Sequence, residues 1–184
     1  HQALELTAGI SWRPGVKYIE FPDRKINLGS KYPLFTAEIS KGIKNLFGSD
    51  VDYEKWQAGV KDDLNFKLAG MFQYKVVVGG FFKVTAVPYP DLKQFMGNQV
   101  VLATDYLGGF QALPYYQYPS AAKFWTEYHA EHHFNGFLTN KIPGFRKLNW
   151  YLVGGMNGLW MKGNTHYEEL FLGLENIFKV VRAD

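Results

Sequence analysis

Cysteine is absent from the 184 residues of this chain, and long apolar runs are absent as well. Without cysteine, neither a disulfide framework nor a thiolate metal site is possible. The longest apolar run, VVVGGFF from Val76 to Phe82, is far shorter than the roughly 20 residues that a membrane-spanning helix needs. A helical membrane protein is therefore excluded. The formal net charge is only +3 and the cationic residues are scattered, so nucleic-acid binding is not expected.

Aromatic side chains, in contrast, are abundant. They make up 17% of the chain, and hydrophobic residues make up 47%, which is enough to bury a sizeable surface and argues against disorder. Tyr and Trp suit places where one end of the ring is apolar and the other is wet, as at a membrane interface. The chain begins at His1 without a charged-then-apolar leader, so we expect either a removed signal peptide or an internal fragment.

Turn residues divide the chain into segments with little helical periodicity. There are 19 Gly and 8 Pro, and they cluster between stretches rich in aromatic and β-branched residues. This pattern predicts an all-β, antiparallel chain. The predicted strands are 3–12, 15–21, 33–43, 53–63, 66–82, 98–111, 122–137, 149–161 and 167–181.

The segment FWTEYHAEHHFNG (124–136) separates into two faces with period two. One face carries Trp125, Glu127, His129, Glu131, His133 and Asn135. The alternate positions are mostly aromatic or small. Because successive side chains of a strand point to opposite faces of the sheet, this strand has one charged face and one largely apolar face. A sheet in water shows such a pattern, and so does a membrane barrel whose charged side lines the lumen.

Strand lengths and connections favour the barrel. Several predicted strands are longer than the usual five or six residues, and tight turns such as 62–66 contrast with longer loops such as 83–97. Aromatic residues at strand ends, as an interfacial girdle requires, are Trp12, Tyr53, Phe66, Trp150 and Trp160. The alternative is a soluble β-sandwich or lipocalin-like barrel in which the aromatic face is the core.

The stretch EYHAEHHFNGFLTNKIPGFRKLNW (127–150) is similar to the signature of an uncharacterised family of Bacteroidota outer-membrane proteins. Members of that family carry a carboxypeptidase-regulatory-like N-terminal domain and a C-terminal β-barrel. Further similar stretches occur in the same order, among them 14–33, 48–56, 87–99, 110–120 and 167–184. The resemblance implies an integral outer-membrane β-barrel, with residues 1–184 as its C-terminal portion. The resemblance also implies that the chain covers about half of the barrel. Nine strands would be an odd number with unpaired edges in lipid, so we expect a fragment.

Four residues on one face of the signature strand, Glu127, His129, Glu131 and His133, are the candidate site and are called the polar ladder below. Imidazole and carboxylate suit zinc, iron or manganese, and neighbours at i and i+2 stand about 7 Å apart, close enough to share an ion. Metal-dependent or acid–base hydrolysis at His129, Glu131 and His133 is thus one hypothesis. Additional ligands would come from adjacent strands, with Asp105, His166 or Glu175 as candidates. The favoured interpretation is a hydrogen-bonded ladder that lines the lumen, with no cofactor.

A second candidate surface is the loop NKIPGFRK (140–147), which places Lys141, Arg146 and Lys147 beside apolar residues. At the rim of a barrel it could contact lipid phosphate or a partner protein. A serine hydrolase is disfavoured because none of the five serines lies in a nucleophile-elbow setting. Asp50 and Asp52 could ligate calcium, but turn chemistry explains them better.

These observations lead to three expectations for function. The first is a non-enzymatic outer-membrane barrel that acts in envelope assembly, transport or scaffolding, with membrane lipid and other outer-membrane proteins as partners. The second is an outer-membrane enzyme that uses the polar ladder. The third is a soluble β-barrel that binds an apolar ligand.

Overall fold

The computed structural model describes residues 2–97, 107–114, 117–163, 165–177 and 181–183. Its strands are β1 (Glu5–Trp12), β2 (Lys17–Glu20), β3 (Lys25–Gly29), β4 (Leu34–Gly42), β5 (Asp52–Asn65), β6 (Met71–Ala86), β7 (Trp125–His133), β8 (Tyr151–Met161), β9 (Thr165–Ile177) and β10 (Val181–Ala183). Short 3₁₀ turns lie at Lys67–Ala69, Tyr89–Asp91 and Thr139–Lys141, and one short helix, α1, spans Pro143–Leu148.

Eight of these strands form one sheet in the order β1-β4-β5-β6-β7-β8-β9-β10, and all neighbours are antiparallel. The remaining two, β2 and β3, form a separate hairpin. Within the residues described, β1 and β10 are the two edges, so the sheet is open. No helix in this part of the chain has both the length and the hydropathy needed to cross a membrane. The predicted all-β antiparallel class is confirmed.

Several predicted strand boundaries need correction. The strand predicted at 66–82 begins only at Met71, because residues 66–70 form the turn that carries Lys67 at a left-handed φ of 56°. The strand predicted at 122–137 ends at His133. The strand predicted at 98–111 is wrong for residues 107–111, which form turns, and its residues 98–106 lie outside the described residues. The strand predicted at 167–181 corresponds to β9, which ends at Ile177, and its last residue, Val181, begins the separate strand β10. The strand β3 and the helix α1 were not predicted.

One face of the sheet is covered by the described parts of the connection between β6 and β7, residues 87–97, 107–114 and 117–124, which we call the β6–β7 loop. Its Phe95, Phe110 and Leu113 are buried against Trp125 of β7 and against two side chains of β8. We call this side the covered face. It also contains the whole polar ladder, since alternate residues of β7 from Trp125 to Glu131 are buried. The core of this chain therefore mixes aromatic and charged side chains.

The opposite, open face of the sheet is apolar and exposed. Large side chains near the middle of its strands leave most of their surface uncovered, for example Leu170 at 83% and Leu172 at 67% on β9. On β1 and β4, Ile10 and Ile39 are 69% and 58% exposed. An acidic exception on this face is Asp62, which pairs with Arg13 at 3.9 Å. Apolar residues thus face outward over a large area while charges are enclosed on the other side.

Aromatic rings gather near both ends of the open face. One row consists of Trp56, Phe82, Phe124 and Trp160, with neighbouring ring centroids 5.8–6.4 Å apart. The other row, near the tight β5–β6 turn, consists of Phe66, Phe72, His132 and Phe134, with centroids 4.5–6.2 Å apart. Between the rows the face carries aliphatic residues such as Val60 and Val76, which pair across β5 and β6, and Met156, which pairs with Leu170 across β8 and β9. The polar groups in this band are the Tyr74 and Tyr128 hydroxyls, Asp62 and Glu168. The open face is therefore an aliphatic band between two aromatic rows.

Candidate functional site

The polar ladder lies on the covered face of β7, as the period-two pattern predicted. Glu127, His129 and Glu131 are 3%, 1% and 4% exposed, and His133 is only slightly more open. Burial of several ionisable groups is costly unless each finds a partner. Whether the buried ladder destabilises the fold therefore depends on the hydrogen bonds that its side chains form.

The first half of the ladder belongs to a chain of four side chains that crosses three strands. His129 Nε2 lies 3.1 Å from Glu127 Oε1, and its Nδ1 lies 2.9 Å from Asn157 Oδ1 on β8. The Asn157 amide donates to Glu169 Oε1 on β9 at 2.7 Å. Because a carboxylate only accepts, this bond fixes the amide with its oxygen toward the histidine. Both ring nitrogens of His129 thus face acceptors.

The second half of the ladder is a cluster with two carboxylates and two cationic groups. His133 donates to Glu131 Oε1 at 2.8 Å and to Glu175 Oε2 at 2.7 Å. Arg182 of β10 donates to the other oxygen of Glu131 at 3.0 Å. Opposite charges therefore alternate within this cluster, which offsets the cost of their burial. The cluster also ties the edge strand β10 to β7, although the two are not neighbours in the sheet.

The ring nitrogens of the ladder histidines, which a metal would need as ligands, are already engaged. A histidine ligates a metal through a ring-nitrogen lone pair, and both nitrogens of His129 and of His133 lie at hydrogen-bond distance from oxygens. Among the described residues, no group of three or more histidines and carboxylates is arranged to hold a metal ion. Of the additional candidate ligands, Glu175 contacts His133, whereas His166 is exposed on the open face and Asp105 lies outside the described residues. Metal binding stays a hypothesis.

Glu169, which the sequence did not single out, anchors the β6–β7 loop to the sheet. Its carboxylate accepts the backbone N–H groups of Gln111 and Ala112 at 2.6 and 2.9 Å. It also accepts the Tyr167 hydroxyl at 2.8 Å. A second anchor is the ion pair of 2.9 Å between Lys93 of the loop and Glu127. The ladder and the loop are therefore parts of one network.

We expect Glu169→Gln to loosen the β6–β7 loop. The amide presents N–H groups to donors and weakens several charge-assisted hydrogen bonds, so we expect a loss of about 2 kcal/mol of unfolding free energy and faster proteolytic cleavage near residues 107–114. Limited proteolysis with chymotrypsin and denaturant unfolding measure the two effects. The matched control is Glu168→Gln, because Glu168 lies on the open face and accepts the Tyr128 hydroxyl at 3.1 Å. Equal cleavage rates in both variants would contradict the anchoring role of Glu169.

The second candidate surface is separate from the ladder. Lys141 ends a 3₁₀ turn and places its ammonium 5.0 Å from the centre of the Phe137 ring. Arg146 and Lys147 lie exposed in the last turn of α1, close to the exposed Ile142. The three cations thus share one short segment between β7 and β8, next to apolar side chains.

The fold and the ladder together define the class of this chain: an all-β protein with a long antiparallel sheet, an apolar open face and a charged face covered by its own loop. The chain belongs to the family of unknown function DUF5686, since the model of that family's C-terminal domain matches residues 1–174. No curated protein and no solved structure matches it. The family assignment agrees with the resemblance to a family without known function.

Proposed function

We propose that this chain forms part of an integral outer-membrane β-barrel with a non-enzymatic role in envelope assembly, transport or scaffolding. The observation that carries the proposal is the aliphatic band between two aromatic rows on the open face. Phe72 and Phe82, one from each row, are both on β6 and are separated by roughly 33 Å at the usual rise per residue. A strand tilt of about 40° converts this length to a height of roughly 25 Å, which is the apolar band of an outer-membrane barrel.

The distribution of charge supports the same proposal. In a protein surrounded by water, apolar side chains are enclosed and charges are exposed, whereas here Leu170 is 83% exposed and Glu127 is 3% exposed. Contiguous exposed apolar surface of this kind marks contact with lipid or with another protein. Lipid around the open face would leave the ladder on the inner wall, covered by the β6–β7 loop.

The segment with Lys141, Arg146 and Lys147 also supports the proposal, because it would lie at the rim of the barrel. Cations beside apolar side chains bind phosphate groups of lipids while the apolar residues enter the interface. An outer-membrane partner protein with an acidic surface is the other occupant that this chemistry suits. Both are consistent with a scaffolding or assembly role.

Leu170→Lys tests the proposal directly. In lipid, a lysine near the middle of a spanning strand costs roughly 2–4 kcal/mol of unfolding free energy, whereas in water the replacement of an exposed leucine by lysine has little effect. The matched control is Leu68→Lys, because Leu68 is equally exposed, at 86%, but lies in the β5–β6 turn. We expect at most about 1 kcal/mol there. Guanidinium unfolding in lipid vesicles measures both.

Two simpler measurements accompany this test. The protein should resist carbonate extraction from membranes and should change its gel mobility on boiling in detergent. A protein that is soluble without detergent, and in which Leu170→Lys behaves like Leu68→Lys, would overturn the proposal. The soluble barrel with an apolar ligand would then take its place.

An outer-membrane enzyme is the second candidate, and the buried contacts between histidine and carboxylate in the ladder favour it. His133 between Glu131 and Glu175 has the geometry in which a proton moves between neighbouring groups. Hydrolytic activity that disappears in His133→Gln, with the fold intact, would support an enzyme. Stoichiometric metal in the purified protein would favour its metal-dependent form.

A further inference from the structure

A cavity of about 490 Å³ with a mixed polar and apolar lining lies beside the polar ladder, between the sheet and the β6–β7 loop. Its polar lining includes Ser11, Thr36, Glu38, Gln57, Lys75 and Lys93. The volume falls within the usual range of small-molecule sites. The cavity therefore has both the size and the hydrogen-bonding groups to hold a ligand.

Lys75 is the unusual group in this lining. It is half-buried in the middle of β6, and it lies directly opposite Lys61 of β5 and His129 of β7. Like charges directly opposite each other destabilise a sheet. Within the described part of the chain, the structure gives the Lys75 ammonium no hydrogen bond and no ion pair. A partly buried cation without a partner is costly.

The carboxylates near Lys75 are already engaged. Glu127 pairs with His129 and with Lys93, and Glu131 pairs with His133. The other cation of the cavity, Lys93, is therefore neutralised by Glu127, whereas Lys75 is not. The lining carries two cations, Lys75 and Lys93, and two carboxylates, Glu38 and Glu127, and within the described residues Lys75 is the cation that no carboxylate contacts.

Gly108 of the loop makes room for the Lys75 ammonium. Its backbone has a φ of 119°, an angle that residues other than glycine rarely adopt. A Cβ atom at this position would lie 2.6 Å from Lys75 Nζ. The ammonium thus lies close to the loop backbone at Gly108, without a hydrogen bond to any described residue. This arrangement leaves its N–H groups available to a ligand.

We infer that this cavity binds a small hydroxylated anion, a sugar phosphate or a sugar acid, whose oxyanion contacts Lys75. The anion would offset the facing charges of Lys75 and Lys61. Hydroxyl groups of the ligand suit the side chains of Ser11, Thr36 and Gln57, which both donate and accept. The inference does not depend on the membrane proposal, because the cavity lies on the covered face whatever surrounds the open face.

Calorimetric titration of the purified protein with glucose 6-phosphate, with gluconate and with glucose tests the inference. We expect saturable binding of at least one of the two anions and much weaker binding of glucose, and the stronger anion distinguishes phosphate from carboxylate. Lys75→Gln should weaken binding by at least about tenfold, because a hydrogen bond to a charged group is lost. Lys75→Arg should retain it. Lys162→Gln, at an exposed position in the β8–β9 turn, is the matched control and should bind like the parent.

Two results would overturn the inference: no saturable binding of either anion to the parent protein, or equal affinity in Lys75→Gln and the parent. Circular dichroism verifies that each variant is folded. If Lys75→Gln fails to fold, Lys61→Gln replaces it, because Lys61 is exposed and acts on the same anion through space. We expect about threefold weaker binding there, and unchanged affinity would count against the site.

Discussion

Trp125→Ala should lower the free energy of unfolding by about 3–5 kcal/mol. Trp125 is fully buried, and its ring packs edge-on against Phe95, with centroids 5.8 Å apart. The Lys93 ammonium lies 4.4 Å from the ring centre. Because Phe95 and Lys93 belong to the β6–β7 loop, the cavity left by the indole also loosens the loop. Denaturant unfolding measures the loss, and hydrogen exchange at residues 87–97 measures the loosening.

Trp12→Ala is the control for this prediction. Trp12 is 60% exposed at the end of β1, where it contacts Phe35 with ring centroids 5.9 Å apart. Its replacement leaves no enclosed cavity, so we expect less than half the loss seen at Trp125. Similar losses in the two variants would show that the indole of Trp125 is not a core residue and that the loop does not pack on the covered face.

Glu131→Ala should cost a similar amount, about 3–5 kcal/mol, for an electrostatic reason. Its carboxylate is the shared partner of His133 and Arg182, and all three side chains are largely buried. Removal of the carboxylate takes from His133 and from Arg182 a buried counter-charge that they share, and the loss of such a partner is strongly destabilising. Denaturant unfolding measures the cost, and exchange of the backbone amides of β10 should rise in the same variant.

Glu20→Ala provides the contrast. Glu20 and Lys25 form an ion pair of 3.0 Å in the β2–β3 hairpin, with both side chains about 70% exposed. Exposed pairs contribute at most about 1 kcal/mol, so this variant should remain close to the parent. If Glu131→Ala were as mild as Glu20→Ala, the cluster around His133 would be solvated rather than enclosed.

The long strands could be predicted because their side chains alternate over many residues. In β4, Phe35, Ala37 and Ile39 oppose Thr36 and Glu38, and the structure pairs each set across the sheet as the alternation requires. The strand predicted at 98–111 failed at its described end because the apolar residues around Phe110 pack into the core from a loop. Period alone cannot distinguish a buried loop from a strand. Short elements such as β10 have too few residues to show a period at all.

Only the part of the candidate site that lies on β7 could be predicted, because it depends on spacing within one strand. The ladder residues share one strand, so their common face follows from spacing. Asn157, Glu169 and Arg182 come from β8, β9 and β10, and their approach to the ladder depends on strand register, which a single sequence does not reveal. One signal in the sequence was Asn157, a polar residue within the glycine-rich, otherwise apolar sequence of β8. A buried polar side chain usually has a hydrogen-bond partner, so Asn157 indicated a polar neighbour.

The β6–β7 loop also bears on the order in which the sheet assembles. Strands β5 and β6, or β8 and β9, meet across tight turns, whereas residues 87–124 of the chain separate β6 from β7. Closure of the longer segment costs roughly 2 kcal/mol more than a tight turn in chain entropy. We therefore expect β4–β6 and β7–β9 to form first as two local meanders and to join late in folding. Glu169 and Glu127 belong to the second meander and bind the β6–β7 loop. We therefore expect the loop to dock on the sheet only when the two meanders have joined.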